Sequence, residues 1–150
     1  MLPSRVFMDS CVFCEIIRGE VEASVVYEDA DCAAFMDIQP VNSGHMLIVP
    51  KIHVAYLSDL NERVGAQLFK VAMRLDRALR KSGLRCEGVN LFLADGEAAF
   101  QDIFHVHLHV IPRFTGDGFG LKFGPHYDEK PTRSSLDEAA GKIKASIPTD

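Results

Sequence analysis

An α+β fold with a mostly antiparallel sheet of about five strands, one long helix and a short C-terminal helix is predicted by three features of the sequence. Five short β-rich runs are joined largely by hairpin-length links, one amphipathic stretch separates the third run from the fourth, and the last run alternates strictly. The chain has 150 residues, 47% hydrophobic and 25% charged. This suits a single soluble domain over 1–150 and excludes extended disorder. The longest apolar runs, such as Met46–Pro50, are far too short to span a membrane. A formal net charge of −5 spread along the chain disfavours non-specific binding to nucleic acid, while small nucleotides remain possible ligands. The first ten residues show no basic segment leading into an apolar core and a cleavage site, so a cytoplasmic protein is expected.

The elements follow in order. Residues 12–18 read as a short helix or turn closed by Gly19. Ser24–Tyr27 and Cys32–Met36 read as a hairpin across Glu-Asp-Ala-Asp. Residues 37–44 hold Pro40, Asn42 and Gly44 and form a loop delivering the strand His45–Val49, which Pro50 ends. The long helix is expected from Ser58, as N-cap, to Ser82, with Gly83 as its stop; Val64, Leu68, Val71, Ala72, Leu75, Ala78 and Leu79 form its apolar stripe. Val89–Leu93 and His105–Pro112 complete the strands. An irregular Gly- and Pro-containing stretch over 114–133 leads to a last helix over Ser135–Ile147.

Three of the six histidines, His105, His107 and His109, alternate with Val106, Leu108 and Val110. In a strand, alternate side chains share a face, so the imidazoles form a row spanning about 13 Å while the aliphatic residues face the long helix. The row has three readings: a polar face on which histidines happen to recur, a metal site using i and i+2 histidines, or nucleophilic catalysis by an imidazole.

The segment Gln101-Asp102-Ile103-Phe104-His105-Val106-His107-Leu108-His109-Val110-Ile111-Pro112-Arg113 resembles the signature of the histidine-triad (HIT) family, with the Pro-Arg ending common in bacterial members. The likeness extends through Cys11-x-x-Cys14-x-Ile16-Ile17-x-Gly19-Glu20, Tyr27-Glu28-Asp29, Phe35-Met36-Asp37-Ile38-x-Pro40 and Gly44-His45-x-Leu47-x-x-Pro50-Lys51-x-His53. It covers about residues 11–114 and leaves 115–150 as an extension, which in the family helps shape substrate choice. The resemblance implies a HIT-like fold and a hydrolase or nucleotidyl transferase acting on the α-phosphate of an adenosine-type nucleotide: a phosphoramidate, an adenylate or a dinucleoside polyphosphate. It assigns His107 as the nucleophile that forms a nucleotidyl-histidine intermediate. A neutral imidazole suits that role near pH 7, provided its other nitrogen donates to a fixed acceptor. His109 is then expected to donate to phosphate oxygens, with Gln101 in the same cradle and His45 orienting the triad. Asp37 matches the carboxylate that binds the ribose hydroxyls, although an Asx turn is an equal reading of that residue alone. Phe13, Ile16, Phe35 and Ile38 match the apolar walls around the base, and for any one of them ordinary core packing is the simpler reading. Three departures concern the leaving group: Asp102 where Ser or Thr is common, Ala94 for Asn or Gln, and Phe100 for the usual Gly.

Among the four cysteines, Cys32 and Cys86 read as small buried residues. Cys11 and Cys14 form a CxxC, which alone suits a redox pair, half a zinc site or chance. By the same resemblance, His53 and His105 complete a closed, structural Cys₂His₂ zinc site, which takes His105 from the phosphate. A homodimer is also implied, with the long helix or the strand before the triad at the interface. The alternatives from other classes are a nucleotide-binding regulatory protein with incidental hydrolysis and an enzyme with catalytic zinc on the triad.

Overall fold

The computed structural model describes residues 10–149; the N-terminal segment Met1–Asp9, on which much of the expectation of a leaderless chain rests, lies outside them. The elements are α1 (Val12–Ile17), β1 (Val25–Glu28), β2 (Cys32–Met36), β3 (Met46–Pro50), α2 (Glu62–Lys81), β4 (Gly88–Phe92), β5 (Leu108–Arg113) and α3 (Arg133–Ser146). The five strands form one antiparallel sheet in the order β1-β2-β3-β5-β4. Among the described residues, no helix is long and apolar enough to cross a membrane.

Strand alternation divides the sheet into two faces. Cys32 and Ala34 of β2, Met46 and Ile48 of β3, and Leu108 and Val110 of β5 pack under α2 against Val64, Leu68, Val71, Ala72, Leu75 and Leu79. The intervening residues Ala33, Phe35, Leu47 and Val49 pack with Phe13 of α1 on the other face. The register carries one row across that second face, Phe35 to Leu47 to His109 to Phe92.

Two boundaries differ from expectation. Ser58 lies in a 3₁₀ turn, Leu57–Asp59, and α2 is capped by Asn61, whose side chain accepts from the Arg63 N–H at 2.9 Å. The apolar stripe starts only at Val64, so the cap sits one turn later than Ser58. β5 begins at Leu108, so His105 and His107 precede the strand. The ladder is diverted there: the Pro50 carbonyl accepts from the His105 ring at 2.8 Å, and the Val106 N–H donates to Val54 at 2.8 Å. The expected division of side chains survives, because Val106 packs under α2 while Phe13 lies edge-on to the His105 and His107 rings, at 5.8 and 5.1 Å.

Compactness divides the chain between Gly118 and Phe119 into two units. In the second, Phe123 and Tyr127 stack at 3.9 Å, and α3 is capped by Thr132 and laced by the i,i+4 pair Glu138–Lys142. Its residues Leu136, Ile143 and Ile147 are exposed.

Candidate functional site

The loop between β2 and β3 places the first site residues. Gly44 has φ +102°, and a Cβ there would stand 3.1 Å from Leu79 and Leu84 side-chain carbons and 3.3 Å from Pro112, so both conformation and space require glycine. The loop is tied to the end of β5: Asn42 donates to the Pro112 carbonyl and to Asp117, which also forms a bidentate pair with Arg113 at 2.6 and 2.8 Å. This anchors the turn that presents His45.

The hydrogen bonds fix the imidazole tautomers. The Val41 N–H donates to His45 Nδ1 at 3.0 Å, so the proton of a neutral His45 ring sits on Nε2. That nitrogen lies 2.9 Å from His109 Nδ1, which therefore accepts, leaving His109 Nε2 protonated and free to donate. Burial lowers the pKa of His45, partly opposed by the Asp37 carboxylate, and holds His109 down at about 4, with His107 and His45 adding to the effect. Both rings are neutral near pH 7. His107 Nδ1 lies 2.7 Å from the His105 backbone carbonyl, so Nδ1 carries the proton and Nε2 keeps a lone pair. The acceptor that selects the nucleophile's tautomer is thus a main-chain oxygen two residues away.

A cleft of about 470 Å³ opens over these groups. Phe13, Ile16, Phe35 and Ile38 line it together with Asp37, His45, His107 and His109. Phe13 and Phe35 pack at 5.5 Å and form a buried base, whereas Ile38 is 98% exposed and stands at the rim. Asp37 forms the expected Asx turn, its Oδ1 accepting from the Gln39 N–H at 2.8 Å, while Oδ2 lies 3.5 Å from His45 Nε2. Gln101 departs from the expected cradle. Its Nε2 donates to the Ala55 and Ile103 carbonyls and its Oε1 accepts from the Gly96 N–H, so the buried carboxamide has no hydrogen left for a phosphate and holds the loop before the triad instead. Val41 and Phe92, the latter 5.8 Å from the His109 ring, are partners the sequence did not single out. A backbone N–H leaves no mark on residue type, and Phe92 is found only through strand register.

Cys11, Cys14, His53 and His105 converge with all four ligand atoms within 4.8 Å of one another. Cys14 Sγ lies 3.3 Å from His53 Nδ1 and 3.6 Å from His105 Nδ1, and Cys11 Sγ lies 3.5 Å from His105 Nδ1. Tetrahedral zinc at ordinary bond lengths requires S to N edges of about 3.6 Å, so the set fits. His105 donates Nε2–H to Pro50, which turns its Nδ1 lone pair to the thiols, as a metal-binding histidine requires. Asp37, His45 and His109 also lie close together. They fit a cation poorly, because the Val41 bond leaves the proton on the His45 nitrogen that would have to ligate.

Residues 18–116 match the HIT domain family model. The adenosine 5′-monophosphoramidase hnt1 of Schizosaccharomyces pombe is 32% identical, over 90% of this chain and 99% of its own length. The adenylylsulfatase HINT3 of Arabidopsis thaliana is 38% identical over 73% of this chain, which spans 55% of that protein. A zinc-bound histidine-triad family protein from Mycobacterium smegmatis superposes with a TM-score of 0.72 at 37% identity, covering 93% of this chain and 99% of that one. With the fold, the ordered triad and the match over 18–116 in agreement, the chain belongs to the HIT domain family.

Proposed function

We propose that this protein is a nucleotide hydrolase or nucleotidyl transferase that attacks the α-phosphate of an adenosine-type nucleotide through His107. The observation that carries this reading is the proton arrangement: Nδ1–H of His107 is held by the His105 carbonyl, so a lone pair on Nε2 faces the cleft, beside a donor on His109 Nε2. Relatives named for cleaving adenosine phosphoramidate and adenylyl sulfate support the substrate class. In the first step the Nε2 lone pair forms a bond to phosphorus, the bond to the leaving group breaks, and its electron pair goes to the leaving atom; an amine leaves with a proton taken from water, whereas sulfate or phosphate leaves as the anion. Water then attacks phosphorus, the N–P bond breaks with its pair returning to Nε2, and the water's proton passes to solvent. The His109 N–H stabilises charge on the non-bridging oxygens. Asp37 Oδ2 faces the ribose hydroxyls, and Phe13, Ile16, Phe35 and Ile38 enclose the base. Gln101 acts as a positioning residue.

His107→Asn is expected to lose turnover by at least about 10³-fold and to trap no adduct when the parent yields nucleotidyl-His107 in quenched reactions. Turnover of the variant at the parent rate would remove the mechanism.

Cys11, Cys14, His53 and His105 are proposed to hold one structural zinc, which supplies a closed, four-ligand cross-link and no position for substrate. The reading also includes a cytoplasmic homodimer. β4 is an edge strand, and Leu91 with Phe69 and Met73 of α2 expose apolar surface beside it, which supports an interface there.

A further inference from the structure

Two clefts meet at Asp102. Beside the nucleoside cleft lies a second of about 520 Å³, lined by Ser10, Cys11, His53, Ala55 and Phe104, which shares Val12, Asp102 and Ile103 with the first. Asp102 Oδ1 stands 3.9 Å from His107 Nε2, and the Ile103 N–H donates to the same oxygen at 2.9 Å, which orients the carboxylate. The side chain is 84% exposed, so it is free to meet a ligand. Among the described residues, no lysine or arginine lines either cleft. A group displaced by Nε2 toward the second cleft therefore passes a fixed carboxylate and meets no lysine or arginine, while the zinc proposed at Cys11 and His53 would be neutralised by its two thiolates.

We propose that the second cleft receives the leaving group and that Asp102 selects substrates releasing an amine over those releasing an anion such as sulfate or polyphosphate. The proposal rests on the nucleotidyl-His107 reading above. An amine nitrogen brings N–H donors to the carboxylate, whereas sulfate and phosphate oxygens bring only acceptors and like charge. The repulsion acts at short range, but solvent screens it, which sets the expected discrimination at about tenfold. Val12, Ile103 and Phe104 supply apolar wall for the hydrocarbon part of a substituted amine. Asp102 is thus a specificity-determining residue for the reaction.

The test compares kcat/KM for an adenosine phosphoramidate bearing an alkylamine with kcat/KM for adenosine 5′-phosphosulfate, on the parent and on Asp102→Asn, at two salt concentrations, with quenched samples scored for adduct on His107. Asparagine keeps the shape of the side chain and the oxygen that accepts from Ile103. The amidate-to-sulfate ratio is expected to fall about tenfold in the variant, mainly through faster cleavage of the sulfate. Added salt should shrink the ratio in the parent and leave the variant's ratio unchanged. A ratio that does not move, with both substrates labelling His107, overturns the role of Asp102 alone. Absence of an adduct with either substrate overturns the underlying reading and this proposal with it.

Discussion

Phe100 has φ +70°, the one positive φ among described non-glycine residues, and it is 86% exposed. It closes the 3₁₀ turn Glu97–Ala99, directly before Gln101. The left-handed region costs an L residue about 1–2 kcal/mol, and so exposed a ring recovers little of that by burial. Phe100→Gly relieves the strain at some cost in chain entropy, and the expected net gain of about 0.5–1 kcal/mol raises the thermal midpoint by about 3 °C. Calorimetry on the two proteins checks this, and a lower midpoint for the glycine variant would contradict it. The departure from glycine was legible in the sequence; its meaning lay in a dihedral angle, which depends on the turn. The site shows the same limit. Residue types and order named His45, His107 and His109, but the acceptor for His107 and the donor to His45 are main-chain groups of His105 and Val41, which any side chain at those positions would present. The motif places Gln101 but not its partners, because three backbone groups take up a carboxamide that sequence alone leaves free.

At the scale of elements, α1 depends on its packing more than on its length. Six residues are too few for a helix to hold itself, and its buried members are Phe13 and Cys14. Burial, and then the neighbouring Cys11, push the Cys14 thiol up to about 11, a pressure that zinc coordination would reverse. Elemental analysis of protein prepared without chelators is expected to give about one zinc per chain. Stripping the metal, or Cys14→Ser, is expected to lower the thermal midpoint and to open α1 to proteolysis. Protein isolated free of metal would count against the site. Strands were legible wherever an apolar run ended at proline or a turn, as β2 and β3 do. The start of β5 was not, since alternation continues back to His105 while the ladder gives way to a ring-to-carbonyl bond. α2 was legible by its stripe, and its cap was displaced by one turn because Ser58 and Asn61 are both good cap residues and only tertiary packing chooses between them.

For the whole molecule, the edge strand β4 and the exposed apolar residues beside it are the surface on which the proposed dimer is tested. Leu91→Glu puts charge into that surface without entering the cleft, and light scattering is expected to show a dimer for the parent and a monomer for the variant at micromolar concentration. A parent that is monomeric there, or a variant that stays dimeric, would refute the interface. The even division of the sheet has a further consequence, for how such a protein diversifies. The residues that meet α2 and those that meet a ligand alternate along the same strands, and they share almost no members. Asp102 and Phe104, which line the second cleft, lie outside both packed clusters, so a lineage or a mutant library can explore new leaving groups at these positions while the packing that keeps the chain folded is left untouched.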